Sequence, residues 1–265
     1  MGLTAQSSGI NILKESFNVD GNKNNPVVAL AGNPNTGKST VFNGVTGLKQ
    51  HTGNWPGKTV TRAQGYYTYL SQEYTVVDLP GTYSLLASSI EEQIARDFIC
   101  FAQPEVTVVI ADATNLERNL NLVLQVTELS DRVVLCLNLM DEAERKNIKI
   151  DLNGLANDLK IPIVPTIARE EKGLSDLKEI IAKIVNQEIQ LNPIKIKYSS
   201  EVEEKVQKIV PELNKQFPDL KKEINIRWLA LRLLEGDRTI FETLEDCYDV
   251  NLKKKQLLKG GRKNE

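Results

Sequence analysis

The sequence predicts an α/β fold: a doubly wound, mostly parallel sheet with a small α-helical domain at the C-terminal side. Three observations carry that expectation. Short β-branched runs alternate with longer segments of helical period from Pro26 onward, as a parallel sheet covered by helices on both faces requires. A glycine-bearing loop separates the first β-branched run from the first helical segment. From Ser200 to about Val250 the β-branched runs are gone and apolar positions recur only at helical spacing.

The elements follow in order. Residues 1–25 end in "DGNKNN" and read as an N-terminal extension with one short amphipathic piece around Ile10 to Phe17. The alternation then runs "VVALA" with "KSTVFNGVTG", "YTVVDL" with "SSIEEQIARDFICFA", "VTVVIAD" with "LERNLNLVLQVTEL", "RVVLCLNL" with "DEAERKN", and "IPIVPT" with "GLSDLKEIIAKIV". The segment "TRAQGYYTYL", running into "QEYTVVDL", predicts a hairpin that adds one antiparallel strand. "LNPIKIKYS" is the last strand-like stretch. Residues 26–190 therefore form the expected α/β domain and 191–265 the helical one, with Val202, Val206 and Ile209 on one helix face. The helix in "INIRWLALRLLEGD" looks most buried, and Trp228 on its apolar face reads as core.

Composition limits the function. The 265 residues carry 33 basic and 35 acidic side chains, a formal net charge of −2, so no basic excess points to nucleic acid. The three cysteines, Cys100, Cys136 and Cys247, are too scattered for a disulfide frame or a cysteine-based metal site and suit a reducing compartment. The apolar runs resemble "VTVVIA" in length, far short of a membrane helix, and the N-terminal stretch lacks a signal peptide's basic start and apolar run. A soluble chain that is not exported is the expectation.

Three motifs carry chemistry. Gly32, Gly37, Lys38 and Ser39 fit G-x-x-x-x-G-K-[ST], a loop whose main-chain N–H groups wrap a phosphate chain while the following helix adds its N-terminal donors. The cradle is Gly32, Asn33, Pro34, Asn35, Thr36, Gly37, Lys38, Ser39 and Thr40, with Lys38 reaching the β- and γ-phosphates and Ser39 placing its hydroxyl on Mg²⁺. The second motif is "DLPG", at a strand end. Asp78 can hold Mg²⁺ through a water, and Gly81 can offer its N–H to the γ-phosphate because no side chain blocks the approach. The third is "NLMD". Asp141 supplies the two acceptors that match the N1–H and amino group of guanine, and Asn138 can tie the base loop to the phosphate loop. Each motif alone is also a common turn or cap; their order, each at a predicted strand end, argues against coincidence, and with them the chain resembles the P-loop GTPase superfamily.

Beyond these motifs the chain resembles the cytosolic part of the bacterial ferrous iron transport protein B family. The resemblance rests on "ALAGNPNTGKSTVFN", "QHTGNWPGKTV", "VVDLPGTYSL", "DATNLERNL", "NLMDEAERKNI" and "RWLALRLLEGD", spread over nearly all of Pro26 to Asp237. It implies Mg²⁺-dependent binding and hydrolysis of GTP to GDP, and a helical domain that modulates GDP affinity. It also implies a membrane permease following in the same longer chain, small accessory transport proteins as partners, and a place on the cytoplasmic face of the bacterial inner membrane. Carried over by position, "NWPGKTV" is the first switch, with Gly57 in its turn and Thr59 as the threonine that binds Mg²⁺ beside GTP. Lys58 stands where many relatives have valine, and Leu139 replaces the lysine that stacks on the base in many other GTPases. The family's Thr-Ser-Ala appears as Thr166-Ile167-Ala168, so the serine is missing while the N–H of Ala168 remains available to the guanine O6.

Thr82 follows Gly81 where many regulatory GTPases carry the glutamine that orients the attacking water, so hydrolysis is expected to be slow or to use a backbone group for that task. The resemblance also extends to potassium-activated GTPases, which have asparagine at the position of Asn35; it implies a K⁺ site formed by Asn35 and main-chain carbonyls around Gly53 to Trp55. The candidate catalytic set is thus Asn35, Lys38, Thr59 and Gly81. His51, the single histidine, reads first as a solvated loop residue; Trp55 either covers the nucleotide or packs under the loop; Glu91 and Glu92 read as helix-surface carboxylates that can face a partner. The alternative function is a nucleotide-gated binding module such as an RNA- or ribosome-associated GTPase, against which the acidic balance and helical tail argue.

Overall fold

The computed structural model describes residues 17, 19, 24–48, 50–216, 224–237 and 239–240, so the expected amphipathic piece around Ile10 lies outside the described residues except for Phe17. Phe17–Ile196 forms one compact unit, and the described residues from Lys197 onward belong to a second.

In the first unit the order is β1 (Val27–Gly32), α1 (Lys38–Thr46), β2 (Gln50–Asn54), β3 (Thr61–Tyr69), β4 (Gln72–Asp78), α2 (Ile90–Asp97), β5 (Val106–Asp112), α3 (Leu116–Leu129), β6 (Val133–Asn138), α4 (Met140–Arg145), α5 (Leu152–Leu159), β7 (Ile163–Pro165) and α6 (Leu174–Val185). The seven strands lie in the order β2-β3-β4-β1-β5-β6-β7. Strands β4, β1, β5, β6 and β7 are parallel, while β3 runs antiparallel to β4 and β2 antiparallel to β3.

Alternation along the central strands sorts the core. Val28 and Leu30 of β1 face the layer of α1 and α6, through Val41, Phe42, Leu177 and Ile181. Ala29 and Ala31 face the layer of α2 and α3, through Ile94, Phe98, Leu122 and Val126. Both faces of β5 and β6 are covered in the same way, which is why these strands read as continuous apolar runs. Burial of about 25 cal/mol per Å² of apolar surface on both sides is the main source of the unit's stability.

Four departures from the sequence reading have local causes. The strand β2 is added at the sheet edge by "QHTGN", whose residues 51–54 are exposed and show no alternation; pairing with β3, from Gln50↔Gly65 to Asn54↔Thr61, sets it. Helix α5 forms over "LNGLANDL" because Asp151 caps it, accepting from the Gly154 N–H at 2.9 Å, and Lys160 ends it in the left-handed conformation. The stretch 190–199 is no strand. Ile194 donates one main-chain bond to Leu159 at 2.9 Å and packs on the core, while Lys195 reaches the Thr127 carbonyl at 2.9 Å and Asp131 at 2.6 Å. The predicted helix after Ile90 also changes pitch, passing into a π turn over Phe98–Ala102 that buries Phe98, Ile99, Cys100 and Phe101.

The second unit contains α7 (Ser200–Gln216) and α8 (Ile226–Glu235). Val206 and Leu213 are buried, as are Trp228, Leu229 and Leu231, so Trp228 is core as its helical spacing suggested. Asn225 caps α8 by accepting from the Trp228 N–H at 3.1 Å, and Arg227 clasps Glu203 with two bonds of 2.7 and 2.8 Å. Among the described residues no helix is long and apolar enough to cross a membrane.

Candidate nucleotide site

The strand β1 lies between β4 and β5, so the chain leaves it toward both sides of the sheet, and the carboxyl end of β1 is the place where such folds hold ligands. The phosphate loop fills that place. A Cβ on Gly32 would lie 2.7 Å from the Ile110 carbonyl, and one on Gly37 only 2.3 Å from Asn138 Nδ2. Gly37 also has φ +83°, a conformation that places the N–H groups opening α1 around a concave turn. Lys38 begins that helix, and the N–H groups of the first turn have no acceptor within it. Ser39 and Thr40 are exposed in the same turn, and Pro34 and Asn35 are exposed in the loop, Asn35 with φ +67°. Thr36 braces the loop by donating its hydroxyl to the Asn33 carbonyl at 3.0 Å. The Asn33 side chain is buried, and neither of its amide atoms has a partner.

Lys38 Nζ and Asp78 Oδ1 form an ion pair at 2.5 Å at the end of β4. Burial pushes the Asp78 carboxyl above its ordinary value, and the Lys38 ammonium opposes that shift. A phosphate chain arriving with Mg²⁺ would keep both charges compensated, the lysine by phosphate oxygens and the carboxylate by the metal's water. Gly81 follows, its would-be Cβ 3.6 Å from Pro34, and the Thr82 N–H donates to the Gly32 carbonyl at 3.2 Å. The segment after "DLPG" thus begins against the phosphate loop. Thr82 is buried and its hydroxyl donates to the Ser84 carbonyl at 2.7 Å. Glu92 is engaged within the protein, its carboxylate accepting from Ser84 Oγ at 3.0 Å and from the Ser88 N–H at 2.8 Å.

Asn138 ends β6 and joins three segments. Its Nδ2 donates to the Thr36 carbonyl at 3.0 Å, and its Oδ1 accepts from Thr166 Oγ1 at 3.2 Å and from the Ala168 N–H at 3.0 Å. The Ala168 N–H expected at the guanine O6 is therefore already shared with Asn138. Leu139, with φ +63°, turns the chain into α4 and brings Asp141 into its first turn. Asp141 Oδ1 is buried with no partner, whereas Oδ2 accepts from Arg145 at 3.2 Å and from Arg169. An orphaned buried carboxylate oxygen is costly, so Oδ1 is an acceptor that a ligand's N–H donor would complete. Arg145 and Arg169 were not anticipated. The i,i+4 spacing from Asp141 to Arg145 was a usable signal, while Arg169 comes from another element.

The first switch is not gathered with the rest. Gly53 lies on β2, with β3 and β4 between it and β1, and Gly57 and Thr59 are exposed in a loop closed by the Trp55 N–H to Val60 carbonyl bond at 2.9 Å. The Trp55 carbonyl accepts from the Lys58 N–H at 2.9 Å. The Trp55 ring is buried, 5.4 Å from Phe98 and 6.4 Å from Phe17, so it packs under the loop. His51 is exposed on β2 beside Tyr66.

The phosphate loop, Asp78, Gly81, Asn138, Asp141, Thr166 and Ala168 are thus linked by these contacts around the ends of β1, β4 and β6, with hydroxyl and carboxylate oxygens of the kind Mg²⁺ takes. Comparison with known proteins identifies the family. The family model described as ferrous iron transport protein B matches residues 26–181, and that of the FeoB cytosolic helical domain matches residues 198–262. The Fe(2+) transporter FeoB of Escherichia coli K12 is 37% identical over 215 residues, covering 79% of this chain and 27% of the transporter; that of Salmonella typhimurium is 36% identical with the same coverage. The chain therefore spans about a quarter of these relatives' length. Among solved structures, the cytosolic domain of the T. maritima FeoB iron transporter in a GDP form superposes with a TM-score of 0.76 at 38% identity, covering 85% of this chain and 86% of that one. The same domain in a GMPPNP form gives 0.72 at 36%, covering 91% and 88%, and the G domain of Methanococcus jannaschii FeoB gives 0.55 at 43%, covering 61% and 98%. With both parts of its length matched, the chain belongs to the ferrous iron transport protein B family and carries its G domain and cytosolic helical domain.

Proposed function

We propose that the chain binds GTP with Mg²⁺, hydrolyses it slowly to GDP and phosphate, and through that cycle regulates or energises ferrous iron transport by a membrane domain of the same longer protein. Lys38 and the N–H groups opening α1 hold the phosphates, Ser39 and Thr59 bind Mg²⁺ with Asp78 acting through water, and Gly81 meets the γ-phosphate. Mg²⁺ supplies charge neutralisation between the β- and γ-phosphates. Asp141 reads the base, and the Ala168 N–H reaches the guanine O6 once it turns from Asn138 Oδ1. Slow turnover follows from Thr82, whose buried hydroxyl is bonded to Ser84 and offers no amide to orient a water. The relatives whose names specify an Fe(2+) transporter support the transport context.

The observation that carries this reading is the unpartnered Asp141 Oδ1 beside an Asn138 that ties the base loop to the phosphate loop. Its test is nucleotide competition. Asp141→Asn replaces one acceptor by a donor, so it should lose GDP affinity and gain xanthosine diphosphate affinity; sites built around such pairing discriminate by a factor of about 10⁴. Unchanged guanine preference would remove Asp141 from the role.

A further inference from the structure

Two arginines converge on the carboxylate assigned to the base. Arg169, one residue past Ala168, bonds Asp141 Oδ2 and lies 3.7 Å from Glu142 Oε1. Arg145, on α4 itself, bonds the same Asp141 oxygen at 3.2 Å and also Glu142. Asp141 is thereby asymmetric: Oδ1 is buried without a partner, and Oδ2 is doubly engaged. Guanine presents two donors, N1–H and the 2-amino group, and needs both oxygens; hypoxanthine presents N1–H alone and needs one. A one-donor base can use Oδ1 and leave the arginines in place, whereas a two-donor base must take Oδ2 from one of them. Arg145 is fixed to its own helix turn at i,i+4, while Arg169 is brought in by the loop that carries Ala168, so Arg169 is the partner whose release does not disturb α4.

We propose that Arg169 is a specificity-tuning residue which competes with guanine for Asp141, holding down the affinity for guanine nucleotides relative to hypoxanthine ones and easing GDP release. The proposal rests on the assignment of Asp141 to the base. Both guanidinium groups are more than half exposed, at 58% for Arg145 and 53% for Arg169, so the competition is modest and weakened by salt.

Titration calorimetry of the full chain with GDP and inosine diphosphate, at low and high ionic strength, tests it. Arg169→Ala should tighten GDP by about threefold, the scale of an exposed ion pair, and leave inosine diphosphate within error. Arg169→Lys, which keeps a charge, should stay near the unmodified chain. In the unmodified chain the ratio of GDP to inosine diphosphate affinity should rise with salt, because screening of the shared diphosphate cancels in the ratio; in Arg169→Ala it should be flat. Weaker GDP binding in Arg169→Ala, no change, or equal tightening of both nucleotides would overturn the proposal. The Asp141→Asn competition separates the two failures. If that variant shifts base preference and Arg169→Ala does nothing, the competition alone is wrong; if it shifts nothing, the base assignment falls first.

Discussion

Asn138 Nδ2 donates to the Thr36 carbonyl at 3.0 Å across 102 residues of chain, and this one bond connects the base loop to the phosphate loop. The same side chain accepts from Thr166 and Ala168, so a single buried carboxamide has all its roles assigned by neighbours. Asn138→Asp keeps the acceptors but sets a carboxylate oxygen against the Thr36 carbonyl. A buried acceptor facing an acceptor costs about 1–3 kcal/mol, more with the charge. The variant should therefore unfold several degrees lower and lose GDP affinity together, whereas Asp141→Asn should change base preference with little effect on unfolding. Thermal melts and GDP titrations of the two variants check the contrast, and equal behaviour would contradict it.

The ion pair of Lys38 with Asp78 and the closed loop of the first switch separate the two hydroxyls assigned to Mg²⁺. Ser39 stands in the first turn of α1 beside the phosphate loop, while Thr59 lies in the loop between Trp55 and Val60, which we expect to open for Thr59 to reach the metal. Ser39→Ala should weaken Mg²⁺-dependent binding of both GDP and GTP. Thr59→Ala should slow hydrolysis and leave GDP affinity near that of the unmodified chain. Titrations with and without Mg²⁺, with single-turnover hydrolysis, distinguish them; indistinguishable variants would place Thr59 outside the switch role.

What the sequence reveals depends on whether a residue's role is local. The central strands were legible because both faces are buried and the runs are apolar, and the phosphate loop because glycines, lysine and hydroxyl are contiguous. The polar edge strand Gln50–Asn54 was not, since its conformation is imposed by β3 and not by its own alternation. "LNPIKIKYS" alternates like a strand yet pairs with neither sheet edge; the Lys195 amine is bonded to α3 and Asp131, and the Ile194 N–H to the end of α5 instead. Arg169 escaped notice because its partner lies 28 residues away on another element. Asn138 could be expected to bridge the loops, but its capture of the Ala168 N–H could be read only from the folded arrangement.

In the helical unit, Glu203 is held at about 2, below its usual 4.5, by the Arg227 side chain first and the Tyr198 N–H second. A carboxyl lowered in the folded state contributes stability that is complete above its unfolded value and disappears as pH falls from about 4.5 toward 2. Glu203→Gln, which keeps the shape and removes the charge, should lower the thermal midpoint at pH 6 and converge on the unmodified chain near pH 2. A gap between the two that stays constant across this range would show that the Arg227 pair does not couple to folding.

Phosphoryl transfer needs positive charge near the oxygen bridging the β- and γ-phosphates, and no arginine occurs from Gly32 to Thr59. The next, Arg62, donates to the Phe17 carbonyl at 2.8 Å and lies 6.0 Å from the Trp55 ring, a position in the core layer and not at the phosphates. Asn35 is exposed in the phosphate loop with φ +67°, which leaves its amide oxygen available to a cation. Its proposed companions, the carbonyls around Gly53 to Trp55, are held in this form by the β2–β3 pairing and by the Lys58 N–H. A K⁺ site there would need these carbonyls to turn toward Asn35, a rearrangement we expect GTP to bring about by drawing Thr59 inward. The expected consequence is selective: K⁺ should speed GTP hydrolysis, on the order of tenfold over Na⁺ for one added electrostatic contact, and leave GDP affinity unchanged. Asn35→Ala should abolish the difference. Hydrolysis and GDP titration in matched KCl and NaCl decide it, since equal rates in the unmodified chain would refute K⁺ activation, and stimulation that survives Asn35→Ala would assign the ion to other ligands.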